Sequence, residues 1–263
     1  LRAIVAREVV KFAQQTGRLV SALVRPLLWL AVFAAGFRNV FGVAIVEPYD
    51  TYIPYDVYIT PGLIGMVMLF NGMQSSLAMV YDREMGLMRL LLTAPLPRSW
   101  ILFSKLTATA ALSVLQAAAF VFVAALLGTT LPVWGPQSPQ LLLACVTGAL
   151  MLGAIGLLLS VHIRQLENFA GTMNFVIFPM YFMSTALYPL WKLEESGASW
   201  VYQIARVNPF THAVEWLRFA MYGKDPGIAP WVVVGTLVLC FALASWGYDP
   251  QRGFGALAKR GGP

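Results

Sequence analysis

The sequence predicts an all-α integral membrane protein with six transmembrane helices. Three observations predict this fold class: an excess of apolar over charged residues, a series of long uncharged runs, and an uneven distribution of Lys and Arg between the segments that join them. Of the 263 residues, 59% are hydrophobic and only 11% are charged, whereas soluble domains carry about 25% charged residues. Because a soluble core of this size does not need so much apolar surface, we expect lipid to be the solvent.

Four uncharged runs predict five of the spans, since a transmembrane helix needs about 20 mostly apolar residues. Three runs fit one helix each, and the much longer run from Leu106 to Val161 is divided by the turn residues between Leu131-Pro132 and Pro139. The predicted spans lie at about 57–80, 104–127, 140–161, 168–190 and 228–248. The first span is placed at about 25–45, with Arg25 at its cytoplasmic mouth, where a long side chain can snorkel.

Residues 1–18 are amphipathic, which predicts a helix that lies in the cytoplasmic headgroup region. Arg7, Lys11 and Arg18 share one helical face, whereas Val5 and Val9 lie on another. A solvated N-terminal tail is the alternative. The segment is not a signal-type apolar run, so no cleavable signal peptide is expected.

The Lys and Arg residues predict the orientation, because cytoplasmic loops of membrane proteins carry an excess of them. Six spans place both termini, including the tail 249–263, on one side. With cytoplasmic termini, thirteen cations lie inside: Arg2, Arg7, Lys11, Arg18, Arg25, Arg83, Arg89, Arg98, Lys105, Arg164, Arg252, Lys259 and Arg260. Five lie outside: Arg38, Lys192, Arg206, Arg218 and Lys224. This bias accounts for the net charge of +6 without a nucleic-acid partner.

The sequence lacks the characteristic motifs of several functional classes. It contains no phosphate-binding loop G-x-x-x-x-G-K-[ST], no H-E-x-x-H and no G-x-S-x-G. Cys145 and Cys240 have no spacing suited to a metal or a redox pair, and His162 and His212 fall near opposite membrane faces. We therefore predict no catalytic residue and no metal site in this chain.

A leucine-rich segment follows the second predicted span and differs from an ordinary loop. On a helix, Asp82, Gly86, Arg89 and Thr93 form only a narrow polar stripe, so most of the circumference is apolar. Pro95 and Pro97 end the helix, because proline lacks an N–H and disfavours α geometry in the residue before it. The segment 82–95 is predicted to be a cytoplasmic helix that packs on more than one side; an ordinary loop helix is the alternative.

Three motifs in order give the chain a family resemblance. They are ITPGLIGMVML at 59–69, YDREMGLMRLLLTAPLPR at 81–98 and NPFTHAVEWLRFAMYG at 208–223, after a basic amphipathic N-terminal helix. Together they resemble ABC-2 type permeases, the membrane subunits of one class of ATP-binding-cassette exporters. The resemblance covers nearly the whole chain and includes the six-span layout.

The resemblance implies partners and roles that composition does not supply. Two copies of a separate ATPase subunit bind the cytoplasmic face and hold the ATP and Mg, and a second permease copy completes the pathway, with a homodimer favoured over a heterodimer. The membrane is implied to be the bacterial cytoplasmic (inner) membrane. By the resemblance, residues 1–18 correspond to an interface helix, and residues 191–225 correspond to short re-entrant helices at the outer leaflet. The helix after span two becomes the coupling helix that contacts the ATPase through Glu84, Met85, Leu87, Met88, Arg89, Leu91, Leu92 and Thr93.

Polar residues inside spans mark either helix–helix contacts or a pathway. Since spans two and five of the family face the translocation path, Asn71, Gln74 and Asn174 are the pathway candidates, with interhelical hydrogen bonding as the alternative. Within the segment before span six, Asn208-Pro209 predicts a helix start, Glu215 and Arg218 an ion pair, and Gly223 the helix end. The loop 162–171 is interpreted as a plain turn, with a second ATPase contact as the alternative.

The sequence as a whole thus predicts an exporter permease whose substrate is hydrophobic or amphipathic, such as a drug, a lipid or a lipid-linked glycan. Two other hypotheses remain open: a secondary carrier or channel without an ATPase, and a membrane enzyme or anchor subunit. A carrier usually needs an intramembrane ionisable relay, which the predicted spans lack. An enzyme needs polar groups clustered at one depth, and the sequence shows no such cluster.

Overall fold

The protein is all-helical in the part of the chain that the structure, a computed structural model, describes: residues 24–32, 48–49, 53–86, 98–129, 131–163, 165–195, 197 and 199–248. A helical segment at 24–32 comes first. The helices that follow are α1 (Tyr55–Glu84), α2 (Arg98–Leu126), α3 (Ser138–His162), α4 (Leu166–Phe182), α5 (Leu190–Glu195), α6 (Ser199–Val207), α7 (Pro209–Met221) and α8 (Ala229–Gly247).

Helix α1 is the central element of the bundle. It packs against α2, α3, α4 and α7, and its side chains from Tyr55 to Leu69 are all buried. Because neighbouring helices cover it on several sides, this stretch is apolar around most of its circumference, whereas a surface helix needs only one apolar face. Every other long helix is therefore positioned by its contact with α1 or with α3 beside it.

Small residues bring α1 and α3 into close contact. A Cβ added at Gly156 of α3 would lie 2.6 Å from Oγ of Ser76 and 3.0 Å from the carbonyl oxygen of Gly72. A Cβ at Gly72 would in turn lie 3.1 Å from the backbone nitrogen of Gly153. Such close backbone approach between small residues is a common packing mode for membrane helices, where dispersion contacts drive association.

The bundle has two distinct ends, named here for the predicted orientation. At the inner end, Gly247 of α8 lies beside His162 at the end of α3, and Met79, Leu102 and Tyr248 share an apolar cluster. At the outer end, Gly223 lies against Gln137, just before α3 begins. Helices α3 and α8 consequently run in the same direction.

Among the residues that the structure describes, four helices are long and apolar enough to cross a membrane: α1, Ser99–Leu126 of α2, α3 and α8. They coincide with the spans predicted at 57–80, 104–127, 140–161 and 228–248. The span predicted at 168–190 is shorter in the structure, since α4 ends at Phe182 and turns follow it. Of the span predicted at 25–45, only the helical segment 24–32 lies within the described residues, so the six-span layout remains a prediction.

The segment predicted at 191–225 consists largely of three short helices, α5, α6 and α7. Asn208 is the N-cap of α7, where its side-chain oxygen accepts a hydrogen bond from the backbone N–H of Phe210 at 3.0 Å, and Pro209 occupies the first helical turn. Gly223 follows the helix with a φ of +63°, a conformation that glycine adopts without strain. The predicted start and end of this helix are therefore confirmed.

Exposed tryptophans lie at both ends of the bundle. Trp134 and Trp231 are 90% and 78% exposed near the outer end, and Trp246 is 87% exposed at the inner end of α8. Indole rings are enriched where hydrocarbon meets headgroups. Their placement is typical of a bundle whose α8 contacts lipid along most of its length.

Candidate functional site

Asn71, a predicted pathway residue, is buried between two helices. Its Nδ2 donates hydrogen bonds to Oγ of Ser113 at 2.7 Å and to the carbonyl oxygen of Thr109 at 3.2 Å, both on α2. One turn along α1, the hydroxyl groups of Ser75 and Thr109 are 2.6 Å apart. The geometry of Asn71 therefore favours the alternative prediction, interhelical hydrogen bonding, because its amide donor is directed at α2 and not at an open surface.

Gln74 follows Asn71 by three residues on the same helix and faces a narrow cleft. The cleft is lined by Arg25, Pro26, Met66, Val67, Phe70, Asn71 and Gln74. Across it, the guanidinium carbon of Arg25 lies 4.0 Å from the centroid of the Phe70 ring, which is close enough for a cation–π contact. The structure thus brings Gln74 beside a cation that the sequence assigned to the membrane surface.

Asn174, the third pathway candidate, is exposed on α4 and does not line this cleft. It shares its helix face with Gly171, Phe175 and Phe178, all of which are exposed. An amide that faced hydrocarbon without a partner would cost several kcal/mol, by order of magnitude. This face is consequently better suited to a water-filled path or to a second protein surface than to lipid.

The inner end of α1 is tied to both neighbouring helices. Nζ of Lys105 in α2 lies 3.1 Å from Oδ2 of Asp82, and the two side chains are only 13% and 10% exposed. The next residue, Arg83, donates a hydrogen bond to the carbonyl oxygen of Ser160, near the end of α3, at 2.9 Å. Any displacement of the chain after α1 would therefore act on three helices at once.

The coupling-helix candidates begin where α1 ends. Glu84 is the last residue of α1, Met85 follows it, and both are exposed. Gly86 then adopts a φ of +73°. The other candidates, Leu87, Met88, Arg89, Leu91, Leu92 and Thr93, lie outside the described residues, as do the interface-helix candidates Arg7, Lys11 and Arg18.

The outer end contains a buried cation whose environment the sequence did not reveal. Arg218 forms the predicted ion pair with Glu215, yet it is only 2% exposed. Its guanidinium carbon lies 4.2 Å from the centroid of the Tyr58 ring, and Nη2 donates to the carbonyl oxygen of Thr185 at 2.8 Å. Sequence spacing could identify the ion pair, but not the aromatic cover that α1 supplies.

Side-chain donors satisfy backbone carbonyl groups at the end of α4 and in the irregular segment that follows it. Nδ2 of Asn208 donates to the carbonyl oxygens of Met180 and Met183, each at 2.8 Å. The Tyr55 hydroxyl donates to the carbonyl oxygen of Leu187 at 2.6 Å. Non-helical backbone at membrane depth is tolerated only where protein groups or water satisfy it. These donors therefore satisfy carbonyl groups at and after the end of α4 that no continuing helix satisfies.

The part of the chain that the structure describes holds no cluster of metal-binding side chains. Among the described residues, no group of three or more His, Cys, Asp or Glu could hold a metal ion. Cys145 and Cys240 are both free thiols. Several of the polar groups described above instead join helices to one another.

Comparison with known proteins agrees with this architecture. The profile of the ABC-2 type transporter family matches residues 1–222. Three algal relatives carry the name "Putative transport permease ycf38". The protein from Porphyra purpurea is 30% identical over 230 residues, which cover 86% of this chain and 75% of the relative.

The other two relatives extend the match to further algae. The protein from Pyropia yezoensis is 29% identical over 83% of this chain and 72% of its own, and that from Cyanophora paradoxa is 30% identical over 82% and 72%. The family profile covers most of the chain, and the described helices have the apolar length of a membrane bundle. The chain therefore belongs to the ABC-2 type transporter family.

Proposed function

We propose that this protein is the permease subunit of an ATP-binding-cassette exporter. Two permease copies would form the pathway, and separate nucleotide-binding subunits would bind ATP and Mg and hydrolyse the ATP, so this chain would supply no catalytic residue. Family membership supports the association with ATP-binding subunits. The observation that carries the proposal is the linkage at the inner end of α1.

That linkage suits the transfer of motion from a soluble partner to the bundle. The Asp82–Lys105 ion pair and the hydrogen bond from Arg83 to Ser160 join α1 to α2 and α3, directly before the predicted coupling segment. A partner that moved this segment would move the three helices jointly, because partly buried charge pairs resist separation. In the proposal, this movement opens the path between two permeases outward.

The pathway in this proposal is formed by the exposed face of α4 and the Gln74 side of α1. Both carry an amide among apolar side chains, which fits a hydrophobic or amphipathic substrate better than a bare polysaccharide. Asn71 also lines the cleft, but its amide group bonds to α2 and is not assigned to the pathway. A bacterial cytoplasmic membrane and an orientation with cytoplasmic termini belong to the proposal.

The proposal predicts that the segment after α1 transmits the action of the ATPase. The chain would be co-expressed with candidate ATPases and purified through a tag on the permease, after which ATP-dependent transport would be measured in proteoliposomes. Arg89→Glu and Leu90→Pro should abolish transport, since the first reverses a predicted contact charge and the second breaks a helix. Arg206→Glu, a charge reversal in α6, is the matched control and should retain transport. If no ATPase co-purifies and both variants transport normally, the exporter hypothesis is wrong.

A further inference from the structure

Arg25 lies at mid-depth in the predicted membrane rather than at its surface. The Phe70 ring that its guanidinium contacts belongs to a residue fifteen positions after Tyr55 and fourteen before Glu84, the two ends of α1. At 1.5 Å per residue, Phe70 is about 22 Å from either end of this helix. The charged group is therefore close to the middle of a span, and snorkelling does not bring it to the inner surface.

A cation at this depth needs an anion or water nearby, because an isolated charge in hydrocarbon is strongly disfavoured. Within the described residues, Arg25 makes no ion pair or hydrogen bond, and none of the residues that line its cleft is acidic. The side chain is also exposed. The ring of Phe70 holds the guanidinium in place but leaves its N–H donors available to a further acceptor.

The surroundings of Arg25 provide a polar contact on one side and an apolar surface on the other. Gln74 lines the same cleft and can add an amide donor. On the helical segment that carries Arg25, Trp29 packs edge-on against Phe182 of α4, with ring centroids 6.2 Å apart, and Phe182 stacks on Phe178. A head-binding group and an apolar surface thus lie about one helical turn apart on the same face of this segment.

We infer that Arg25 and Gln74 form a transient binding site for the oxyanion head, phosphate or carboxylate, of an amphiphilic substrate. Guanidinium groups bind both oxyanions through paired N–H donors. A cation placed halfway along the path lowers the cost of moving a negative head through the bilayer, which is the step that hydrocarbon opposes most. This inference rests on the proposed export function and narrows its substrate class to anionic amphiphiles.

The test measures binding of labelled lipids to the purified permease in phosphatidylcholine nanodiscs. The probes are pyrene-labelled phosphatidic acid, a pyrene-labelled fatty acid and pyrene-labelled phosphatidylcholine, detected by energy transfer from tryptophan. One or both anionic probes should bind more tightly than phosphatidylcholine, and Arg25→Gln should weaken that binding about ten-fold or more. A preference for phosphatidic acid would identify a phosphate head, and a preference for the fatty acid a carboxylate head.

Two further variants separate a binding role from a structural one. Arg25→Lys keeps the charge without the paired donors and should fall between wild type and Arg25→Gln, while Arg206→Gln should bind all probes as wild type does. Thermal stability of Arg25→Gln should not fall, because the variant removes an intramembrane charge. Equal binding of all three probes, or an equal loss for all three in Arg25→Gln, would overturn the inference. Failure of an ATPase to co-purify would instead count against the export function, because the binding assay needs the permease alone.

Discussion

At the scale of single residues, buried cations do most to distinguish this molecule from a plain apolar bundle. Arg218 is enclosed by Glu215, the Tyr58 ring and the Thr185 carbonyl, so three segments that are distant in sequence meet at one guanidinium. Removing one partner of a buried ion pair leaves the other charge uncompensated, which costs more than the pair contributes. The outer end of the bundle should therefore depend on this side chain.

Replacing Arg218 with Met should lower the free energy of unfolding by about 3 kcal/mol, because Glu215 and the Thr185 carbonyl both lose their donor. The measurement is an SDS titration of the purified protein followed by circular dichroism. Arg206→Met, on the exposed side of α6, is the matched control and should unfold as wild type does. An unchanged midpoint for Arg218→Met would show that the buried pair does not stabilise the outer end.

At the scale of helices, the sequence predicted most elements and missed the features that depend on tertiary contacts. The uncharged runs placed α1, α2, α3 and α8, because lipid demands long apolar segments. The end of α4 at Phe182 was missed, because it depends on tertiary contacts. The side chains of Asn208 and Tyr55 donate hydrogen bonds to backbone carbonyl groups at and after this end. The depth of Arg25 was missed for the same reason, as only packing against Phe70 locates it.

The close contact between α1 and α3 gives a prediction at this scale. Gly156→Ala should destabilise the bundle by about 1–3 kcal/mol, because the added methyl group would overlap Ser76 and press on the Gly72 backbone. The matched control is Gly235→Ala in α8, where a Cβ meets nothing within 4 Å. There, the better helix propensity of Ala should leave stability unchanged or slightly raised. Equal behaviour of the two variants in the SDS titration would contradict the packing argument.

At the scale of the whole molecule, the charge distribution and the described helices fit one arrangement in the membrane. The inner end carries the Asp82–Lys105 and Arg83–Ser160 links, and the outer end carries the three short helices and the buried Arg218. The sequence predicts which end is cytoplasmic from its Lys and Arg residues alone. It could not anticipate which polar residues join helices, because that depends on which helix faces meet.

The orientation can be tested with single cysteines in a variant whose Cys145 and Cys240 are replaced by Ala. A membrane-impermeant maleimide applied to intact cells should label Glu195→Cys, at the end of α5, because that exposed position is predicted to lie outside. Glu84→Cys, also exposed, should react only after the cells are permeabilised, which makes the pair its own control. The opposite labelling pattern would reverse the predicted orientation and, with it, the side on which an ATPase docks.

The exposed tryptophans of α8 also constrain the lipid environment. Trp231 and Trp246 are fifteen residues apart on one helix, which corresponds to about 22 Å along its axis. Typical hydrocarbon cores are about 30 Å thick, and mismatch is met by tilting or by local thinning of the bilayer. Since a tilt would bring the two indole rings still closer along the membrane normal, we expect the bilayer to be locally thin around α8. The spacing of the two tryptophans on α8 is therefore a guide to the acyl-chain length of the lipids used in reconstitution.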